Sequence, residues 1–389
     1  MVETIQTVIV HTPFTPEEEL IIDKMTNALR KLNTFCVERE DILEAQFIAL
    51  LCKQHQLLIG PPGTAKSYSI ECFGKFFEGF KIFSWQVTKF TTPEEIFGPY
   101  NIMELKNGKY VRITDDKLSQ ADLVYLDEVF NGNSSILNAL NSTMNEKVFE
   151  NNDVPLQSLY GATNFIPEEK ILVAFFDRFL FRFLVEEIHE GKNFKKMLML
   201  GDFSVDVNEI ITKDEIKILQ EKLKQVDISP VLDSIVKMRD LLKVEMIEPS
   251  SRRFKWALQA LKARALLNKR LAVESDDLYL LTHILWTDKK EIHLIETTLL
   301  RSIESIGAEI KELYDQAVEI VQICAPLDPD IDSESLQIKG TVKKLNAIFK
   351  KIEHICETKT ITPKVTEISQ KLMHEINKNI RNLTDKMFK

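Results

Sequence analysis

Length and composition exclude several classes of protein. The chain has 389 residues, of which 44% are hydrophobic and 28% charged, and its formal net charge is −9. This is enough for two or three domains with sizeable cores, and the composition is that of an ordinary soluble protein. No apolar run approaches the roughly 20 residues that a membrane-spanning helix needs. The first twenty residues contain no basic cluster ahead of an apolar core, so we expect no secretory signal.

Cysteine usage indicates the compartment. The five cysteines are spread along the chain without close pairs. This pattern favours a reducing, cytoplasmic environment and does not fit a zinc site.

Glycine usage and hydrophobic patterning divide the chain. Ten of the 12 glycines lie at or before Gly201, so we expect a mostly helical second half. In the first half, β-rich runs alternate with helical patterns, at residues 57–60, 81–87, 121–126, 157–163 and 179–185. The alternation predicts an α/β domain with a largely parallel sheet.

A glycine-rich turn follows the first of these runs. Its sequence is Gly60-Pro61-Pro62-Gly63-Thr64-Ala65-Lys66-Ser67, followed by Tyr68. A strand that delivers the chain into such a turn, with a helix starting behind it, creates an anion site from backbone N–H groups and the positive helix end. We expect residues 60–68 to bind the phosphates of ATP, with Lys66 on the β and γ phosphates and the Ser67 hydroxyl on Mg²⁺.

One residue of the turn departs from the usual pattern. The common phosphate loop has glycine before the lysine, and this chain has Ala65. Because alanine tolerates helical φ, we expect Ala65 to occupy the first helical turn. The alternative, a simple turn followed by a surface lysine, has less support from this octapeptide.

The third run ends in two carboxylates. Leu123-Val124-Tyr125-Leu126 is followed by Asp127 and Glu128. In a phosphoryl-transfer site the first carboxylate holds Mg²⁺ and the second polarises the attacking water, so we predict these roles for Asp127 and Glu128. Acidic residues at the start of the next helix would be the structural alternative.

The two motifs together resemble those of AAA+ ATPases, and further segments resemble the MoxR family, closest to its RavA-type branch. The segments, in the order of that family, are Gly60–Ser67, Phe90–Pro99, Tyr125–Phe130, Leu137–Leu140, Asn145-Glu146, Ala162–Asn164 and Phe176–Phe179. The resemblance implies a P-loop AAA+ core, ATP and Mg²⁺ as ligands, and a homo-oligomeric ring, a hexamer as in the family.

The resemblance also implies roles for two polar residues. Asn164 matches the first sensor, which orients the attacking water; a turn asparagine at a strand end is the alternative. Arg178 matches the arginine finger that reaches the nucleotide of the neighbouring subunit, and an arginine that only pairs with Asp177 is the alternative. Arg182 is a second choice, although its apolar surroundings predict a strand residue.

Residues 226–290 are expected to form a helical lid. Val231, Ile235, Met238 and Leu242 have helical spacing, and Pro249-Ser250-Ser251 begins another helix. The next two residues, Arg252 and Arg253, oppose the helix dipole, and a bound phosphate would relieve that conflict. By resemblance one of them is the second sensor, and we prefer Arg252.

Two segments resemble elements of the ring pore or of intersubunit faces. Residues 100–113 are similar to the insert in the second helix of the family, with a turn at Asn107-Gly108. Residues 147–153 are similar to the hairpin before the first sensor.

The last third of the chain is helical. Apolar residues at spacings of three and four run from Leu299 to Ile320, as in a coiled-coil seam, and two later amphipathic segments would complete a three-helix bundle. From Lys339 to Lys389, basic residues outnumber acidic ones 12 to 5. These lysines are spaced among the apolar helix positions, and the segment has few aromatic residues on which bases could stack. We therefore predict a solvated helical face and do not expect nucleic acid as a partner.

The complete prediction has five parts. They are an N-terminal extension (1–14), an AAA+ α/β nucleotide-binding domain (15–200), a linker (201–225), the lid (226–290) and a C-terminal helical domain (291–389). The expected function is Mg²⁺-dependent ATP hydrolysis that remodels a protein partner. The resemblance adds a partner with a von Willebrand factor A domain. The alternatives are a nucleic-acid translocase and a nucleotide-gated scaffold with low turnover.

Overall fold

The computed structural model describes residues 12–167, 169–303, 305–324, 326–327, 332–359 and 363–387. Most of the extension expected over residues 1–14 lies outside them. Within these ranges, no helix has both the length and the apolar character required to span a bilayer.

A parallel sheet forms the centre of the first half of the chain. The described strands are β1 (Gln56–Ile59), β2 (Phe77–Glu78), β3 (Ile82–Gln86), β4 (Leu123–Asp127), β5 (Val148–Phe149), β6 (Asn152–Asp153), β7 (Ser158–Thr163), β8 (Phe181–Leu184) and β9 (Ile211–Thr212). Five of them form one sheet in the order β3-β4-β7-β1-β8, with every pair parallel. Each of the five predicted β-rich runs contributes one strand, so the predicted α/β fold is confirmed.

The burial of the central strands explains their sequence. Every residue of β1 and β7 is buried, which is typical of parallel strands covered by helices on both faces. Such strands are continuous apolar runs rather than alternating ones. Because β4, β7 and β1 are neighbours and parallel, the residues that follow them emerge at one edge of the sheet.

Helices account for most of the remaining chain. They are α1 (Pro16–Phe35), α2 (Glu40–Cys52), α3 (Lys66–Gly74), α4 (Pro93–Phe97), α5 (Ile102–Lys106), α6 (Ser134–Glu146), α7 (Lys170–Phe176), α8 (Gly191–Leu198), α9 (Lys213–Lys222), α10 (Leu232–Val244), α11 (Ser251–Leu267), α12 (Glu291–Ile303), α13 (Ser305–Cys324), α14 (Asp332–Thr358) and α15 (Pro363–Met387). Local signals explain several boundaries. Thr15 and Glu18 form a capping box at the start of α1, and Ser250 caps α11 as predicted.

The chain divides into two compact units. The first comprises the described residues up to Pro230 together with Pro249–Lys289, and the second comprises Val231–Glu248 and the described residues from Lys290 onward. The boundary falls inside the lid expected over residues 226–290. The reason lies in the packing, since α11 packs against α2 whereas α10 packs against α12.

The segment expected to be a linker, residues 201–225, is folded onto the first unit. Strand β9 pairs with β2, and α9 packs against α1 and α2 through Ile216 and Leu219, both fully buried. This segment was expected to connect the nucleotide-binding domain to the lid. Its amphipathic helix makes it part of the core instead.

The second unit contains the predicted three-helix bundle, in which α13, α14 and α15 each pack against the other two. The apolar seam predicted from Leu299 to Ile320 is divided between α12 and α13. Ile310 and Ala317 of α13 are buried. The seam therefore serves packing within the chain.

Two segments of the first unit lie outside its main sheet. Residues 100–113 form a loop closed by an antiparallel bridge between Tyr100 and Arg112, with α5 inside it and Gly108 at φ +74°. Residues 147–153 form the predicted hairpin, with β5 antiparallel to β6. Its turn residues Glu150 and Asn151 both have positive φ.

Candidate nucleotide site

The glycine-rich turn joins β1 to α3 and is held by its own backbone. The Gly60 N–H donates to the carbonyl of Thr163 at 3.0 Å, which ties the turn to β7. A Cβ on Gly60 would lie 2.0 Å from the carbonyl oxygen of Val185, so only glycine fits there. Gly63 has φ +88°, and the Thr64 hydroxyl donates to the carbonyl of Pro61 at 2.9 Å. These internal contacts thus define the shape of the turn.

The prediction that Ala65 lies in the first turn of the helix is wrong. Helix α3 begins at Lys66, and Ala65 precedes it with φ 62° and ψ 26°, in the left-handed region. The chain needs this conformation to leave the turn and enter the helix. For a residue with a Cβ it costs about 1 to 2 kcal/mol, which glycine would avoid.

Lys66 lies over the turn with its ammonium group largely enclosed. Nζ donates to the carbonyls of Gly60 at 2.6 Å and Pro61 at 2.7 Å, and lies 3.4 Å from Oδ1 of Asn164. Burial lowers the pKa of Lys66, while the charges of Asp127 and Glu128 oppose that shift. The amine is therefore placed at the mouth of the turn and faces two carboxylates.

Ser67 connects the turn to the end of β4. Its hydroxyl donates to Oδ2 of Asp127 at 3.4 Å and accepts a hydrogen bond from the Tyr125 hydroxyl at 2.8 Å. Hydroxyl and carboxylate oxygens are the ligands that Mg²⁺ prefers, and it is usually held by one or two protein groups together with substrate phosphates. Ser67 and Asp127 fit that requirement.

Glu128 and Asn164 meet across the ends of β4 and β7. Nδ2 of Asn164 donates to Oε1 of Glu128, and the Glu128 N–H donates to Oδ1 of Asp127 at 3.0 Å. Burial and then the charge of Asp127 raise the pKa of Glu128, while Lys66 and Asn164 oppose the rise. A carboxylate with a raised pKa and one amide partner has the chemistry of a general base.

The remaining loop residues form the outer surface of the turn. Pro61, Pro62, Gly63 and Ala65 are exposed, and Tyr68 in the first turn of α3 is also exposed. The structure thus brings Lys66, Ser67, Asp127, Glu128 and Asn164 into one hydrogen-bonded group. The roles expected for them stay predictions.

The predicted arginine finger lies outside that group. Arg178 follows α7, and its Nη1 is 3.8 Å from Oδ2 of Asp177. Its Nε–H is buried and donates to no partner among the described residues. Burial, and then the nearby charge of Arg252, lower the pKa of Arg178. Two cationic side chains are therefore close together here, with weak pairing for Arg178.

Arg252 and Arg253 have different surroundings. Arg253 is 2% exposed, and its guanidinium donates to Asp177 and to the carbonyls of Phe179, Leu180 and Ile284. Arg252 is exposed and lies over the ring of Trp256 at 5.8 Å. Of the two, Arg252 is the one whose charge can meet a ligand.

Arg182 is a strand residue, as its apolar neighbours predicted. It lies in β8, is 1% exposed, and donates to the carbonyls of Phe179 and Phe176. Its guanidinium also stacks on the ring of Phe176. Because its side chain is buried, Arg182 cannot contact the nucleotide of a neighbouring subunit.

The sequence reasoning missed two residues at the site. Tyr125 contacts Ser67, and its position two residues before Asp127, on the same side of β4, was the available signal. Arg39 donates to the carbonyls of Thr64 at 3.3 Å and Glu186 at 2.5 Å, which connects the turn to the residues that follow β8. It lies at the start of α2, and no motif pointed to it.

Comparison with known proteins identifies the family. A model of the MoxR domain of MoxR–vWA–β-propeller ternary systems matches residues 23–227, more than half of the chain. The chain belongs to the MoxR family of AAA+ ATPases. A model of an AAA lid domain matches residues 230–299. Whether this MoxR protein belongs to the RavA-type branch stays a prediction.

Several relatives extend the match. An uncharacterised protein of Methanocaldococcus jannaschii is 35% identical over 374 residues, 95% of each chain. A second from that organism is 34% identical over 337 residues, 81% of this chain and 90% of the relative. A structural protein of Acidianus two-tailed virus is 28% identical over 53% of this chain and 36% of its own.

A solved structure supports the fold. The crystal structure of a "putative ATPase" from Cytophaga hutchinsonii superimposes with a TM-score of 0.58 and 19% identity, covering 74% of this chain and 96% of that one. At that identity the likeness concerns the fold alone. It agrees with an AAA+ core followed by a lid.

Proposed function

We propose that this MoxR protein is a Mg²⁺-dependent ATPase that acts as a homo-oligomeric ring, a hexamer, and remodels a protein partner. The observation that carries the proposal is the bonded group of Lys66, Ser67, Asp127, Glu128 and Asn164 at the end of three neighbouring strands. Each residue has the chemistry that phosphoryl transfer requires.

In this proposal each side chain has one task. The ammonium group of Lys66 leaves the carbonyls of Gly60 and Pro61 and binds the β and γ phosphates, whose negative charge it then neutralises. Ser67 and Asp127 hold Mg²⁺, which draws charge from the phosphate oxygens when bound. Glu128 accepts the proton of the attacking water, and Asn164 orients that water and the Glu128 carboxylate.

The two arginines complete the site from other directions. Arg252 approaches from α11 as the second sensor, and Arg178 serves a neighbouring subunit. In support, the guanidinium of Arg252 is exposed and that of Arg178 is only weakly paired, whereas Arg253 and Arg182 donate to the buried carbonyls around them. An arginine finger is worth about 10³ to 10⁵ in rate in P-loop enzymes.

The proposed partner is a protein with a von Willebrand factor A domain, since the matching family model describes MoxR domains of systems that contain one. A pull-down with an ATP-trapped form of the ring would identify it.

Subunit mixing tests the ring and the shared site together. Lys66→Ala should lose most ATP binding yet keep an intact finger, and Arg178→Ala should bind ATP almost normally yet hydrolyse it slowly. Mixed rings should regain part of the ATPase activity, because the Lys66→Ala subunit lends its Arg178 to the neighbouring site. Light scattering first establishes that mixed rings form. If they form and Arg178→Ala alone is fully active, the finger assignment is wrong.

A further inference from the structure

Tyr125 holds the hydroxyl of Ser67, and no motif assigns it a role. The Tyr125 side chain is 6% exposed, and its hydroxyl oxygen lies 2.8 Å from Oγ of Ser67. The same Oγ lies 3.4 Å from Oδ2 of Asp127. The three groups form a chain from the middle of β4, through the phosphate loop, to the end of β4.

The direction of the protons in this chain follows from the donor inventory. An ionised carboxylate only accepts, so the single proton of Ser67 points to Asp127. The Ser67 oxygen must then accept from Tyr125, whose phenol has one proton to give. A hydroxyl oxygen has two lone pairs, and Tyr125 occupies one of them. The other lone pair stays free and has a fixed direction.

We propose that Tyr125 is a positioning residue for magnesium, which fixes the Ser67 hydroxyl so that its free lone pair faces the metal. The inference rests on the proposed function, because it needs Mg²⁺ at Ser67. A serine hydroxyl alone rotates among three staggered positions, and the hydrogen bond from Tyr125 selects one of them. In this proposal Tyr125 acts on the metal only through Ser67.

The neighbouring strand offers a matched control. Tyr160 of β7 is the register partner of Tyr125, and it is also buried. Its hydroxyl donates to the carbonyl of Gln46 at 2.9 Å, away from the phosphate loop. Tyr160→Phe therefore removes a buried tyrosine hydroxyl from the same sheet without touching Ser67.

The test measures binding, not turnover. The non-hydrolysable analogue AMP-PNP is titrated into the full chain by calorimetry at a series of MgCl₂ concentrations and in EDTA, for wild type, Tyr125→Phe and Tyr160→Phe. We expect Tyr125→Phe to need about threefold to tenfold more Mg²⁺ for the half-maximal gain in affinity, as the loss of one hydrogen bond implies. Its affinity in EDTA should match wild type, and Tyr160→Phe should keep the wild-type Mg²⁺ requirement.

A second variant tests the same idea through side-chain stiffness. The β-branch of threonine restricts χ1, so Ser67→Thr should depend less on Tyr125, and the Mg²⁺ shift caused by Tyr125→Phe should shrink in that background. If wild type shows a Mg²⁺-dependent gain and Tyr125→Phe has the same requirement, the positioning role is wrong and the proposed function stands. If wild type binds AMP-PNP with no response to Mg²⁺, both are wrong.

Discussion

Asn164 donates a hydrogen bond through Nδ2 to Oε1 of Glu128, across the ends of two neighbouring strands. Burial and the charge of Asp127 raise the pKa of Glu128, and the bond from Asn164 opposes that rise. The amide therefore favours the ionised form of the carboxylate.

Removing the amide should change the pH dependence of hydrolysis. In Asn164→Ala the pKa of Glu128 rises further, so a higher pH is needed to ionise it. The acid limb of kcat against pH should then move to higher pH, and the maximal rate should also fall. Asn152→Ala is the control, since its amide donates only within the exposed hairpin. An unmoved acid limb would show that Asn164 does not tune Glu128.

The two adjacent arginines of α11 should differ in their effect on stability. Arg253→Leu leaves the carbonyls of Leu180 and Ile284 without this donor, and it removes one of the ion-pair partners of Asp177. We expect a loss of about 3 kcal/mol in the free energy of unfolding, because each buried carbonyl left without a donor costs about 1 to 3 kcal/mol.

Arg252→Leu should change stability by no more than about 0.5 kcal/mol, because the side chain is exposed. Its effect should be on ATP hydrolysis instead. Denaturant melts of the two variants, followed by circular dichroism, make the comparison. Equal destabilisation by both variants would contradict the view that Arg253 stabilises the fold and that Arg252 does not.

Arg112 connects the insert at 100–113 to the hairpin at 147–153. Its guanidinium donates to both carboxylate oxygens of Glu150, at 2.9 and 2.8 Å, and lies 4.1 Å from the ring centre of Tyr100. Arg112→Gln should therefore loosen both segments. In a double-mutant cycle with Glu150→Gln, the coupling should be about 1 kcal/mol, as for a partly exposed pair.

Hydrogen exchange detects the coupling directly. Amides of residues 148–153 should exchange faster in Arg112→Gln, although the substitution lies in the other segment. Lys109→Gln serves as the control, since its 3.8 Å contact with Glu104 stays within the insert. Faster exchange confined to the insert would mean that the two segments move independently.

The basic C-terminal segment distinguishes a protein remodeller from a nucleic-acid translocase. We predict no salt-sensitive complex with DNA or RNA at physiological salt and no stimulation of the ATPase by either. Fluorescence anisotropy of labelled oligonucleotides across a salt series measures this, because phosphate contacts weaken steeply as salt rises. A sub-micromolar complex that weakens steeply with salt would favour the translocase.

Local patterns predicted the centre of the fold well. Gly60, Asp127 and Asn164 each follow or end an apolar run, and parallel strands bring such positions to one edge whatever the details of packing. Contacts distant in sequence were harder. Arg39, at the start of α2, donates to the carbonyl of Thr64, and Arg253 of α11 donates to the carbonyls of Phe179 and Leu180. Each contact joins two distant segments, so the sequence of either segment alone does not predict it.

Two errors have physical causes. The left-handed Ala65 was not predicted because alanine is favourable in helices, whereas the turn geometry overrides that preference. The linker expected at residues 201–225 contains a helix whose buried face is set by α1 and α2, and propensity alone does not show that docking.

The central claim is that Glu128 is the base of an ATPase site formed by this chain. Glu128→Gln keeps the length of the side chain and its acceptor for Asn164, but it cannot take a proton from water. With wild type and Glu146→Gln as references, ATP binding should be measured by calorimetry and phosphate release by a continuous assay. The account predicts that Glu128→Gln binds ATP as wild type does and hydrolyses it about 100-fold or more slowly. Hydrolysis at the wild-type rate in that variant would contradict it.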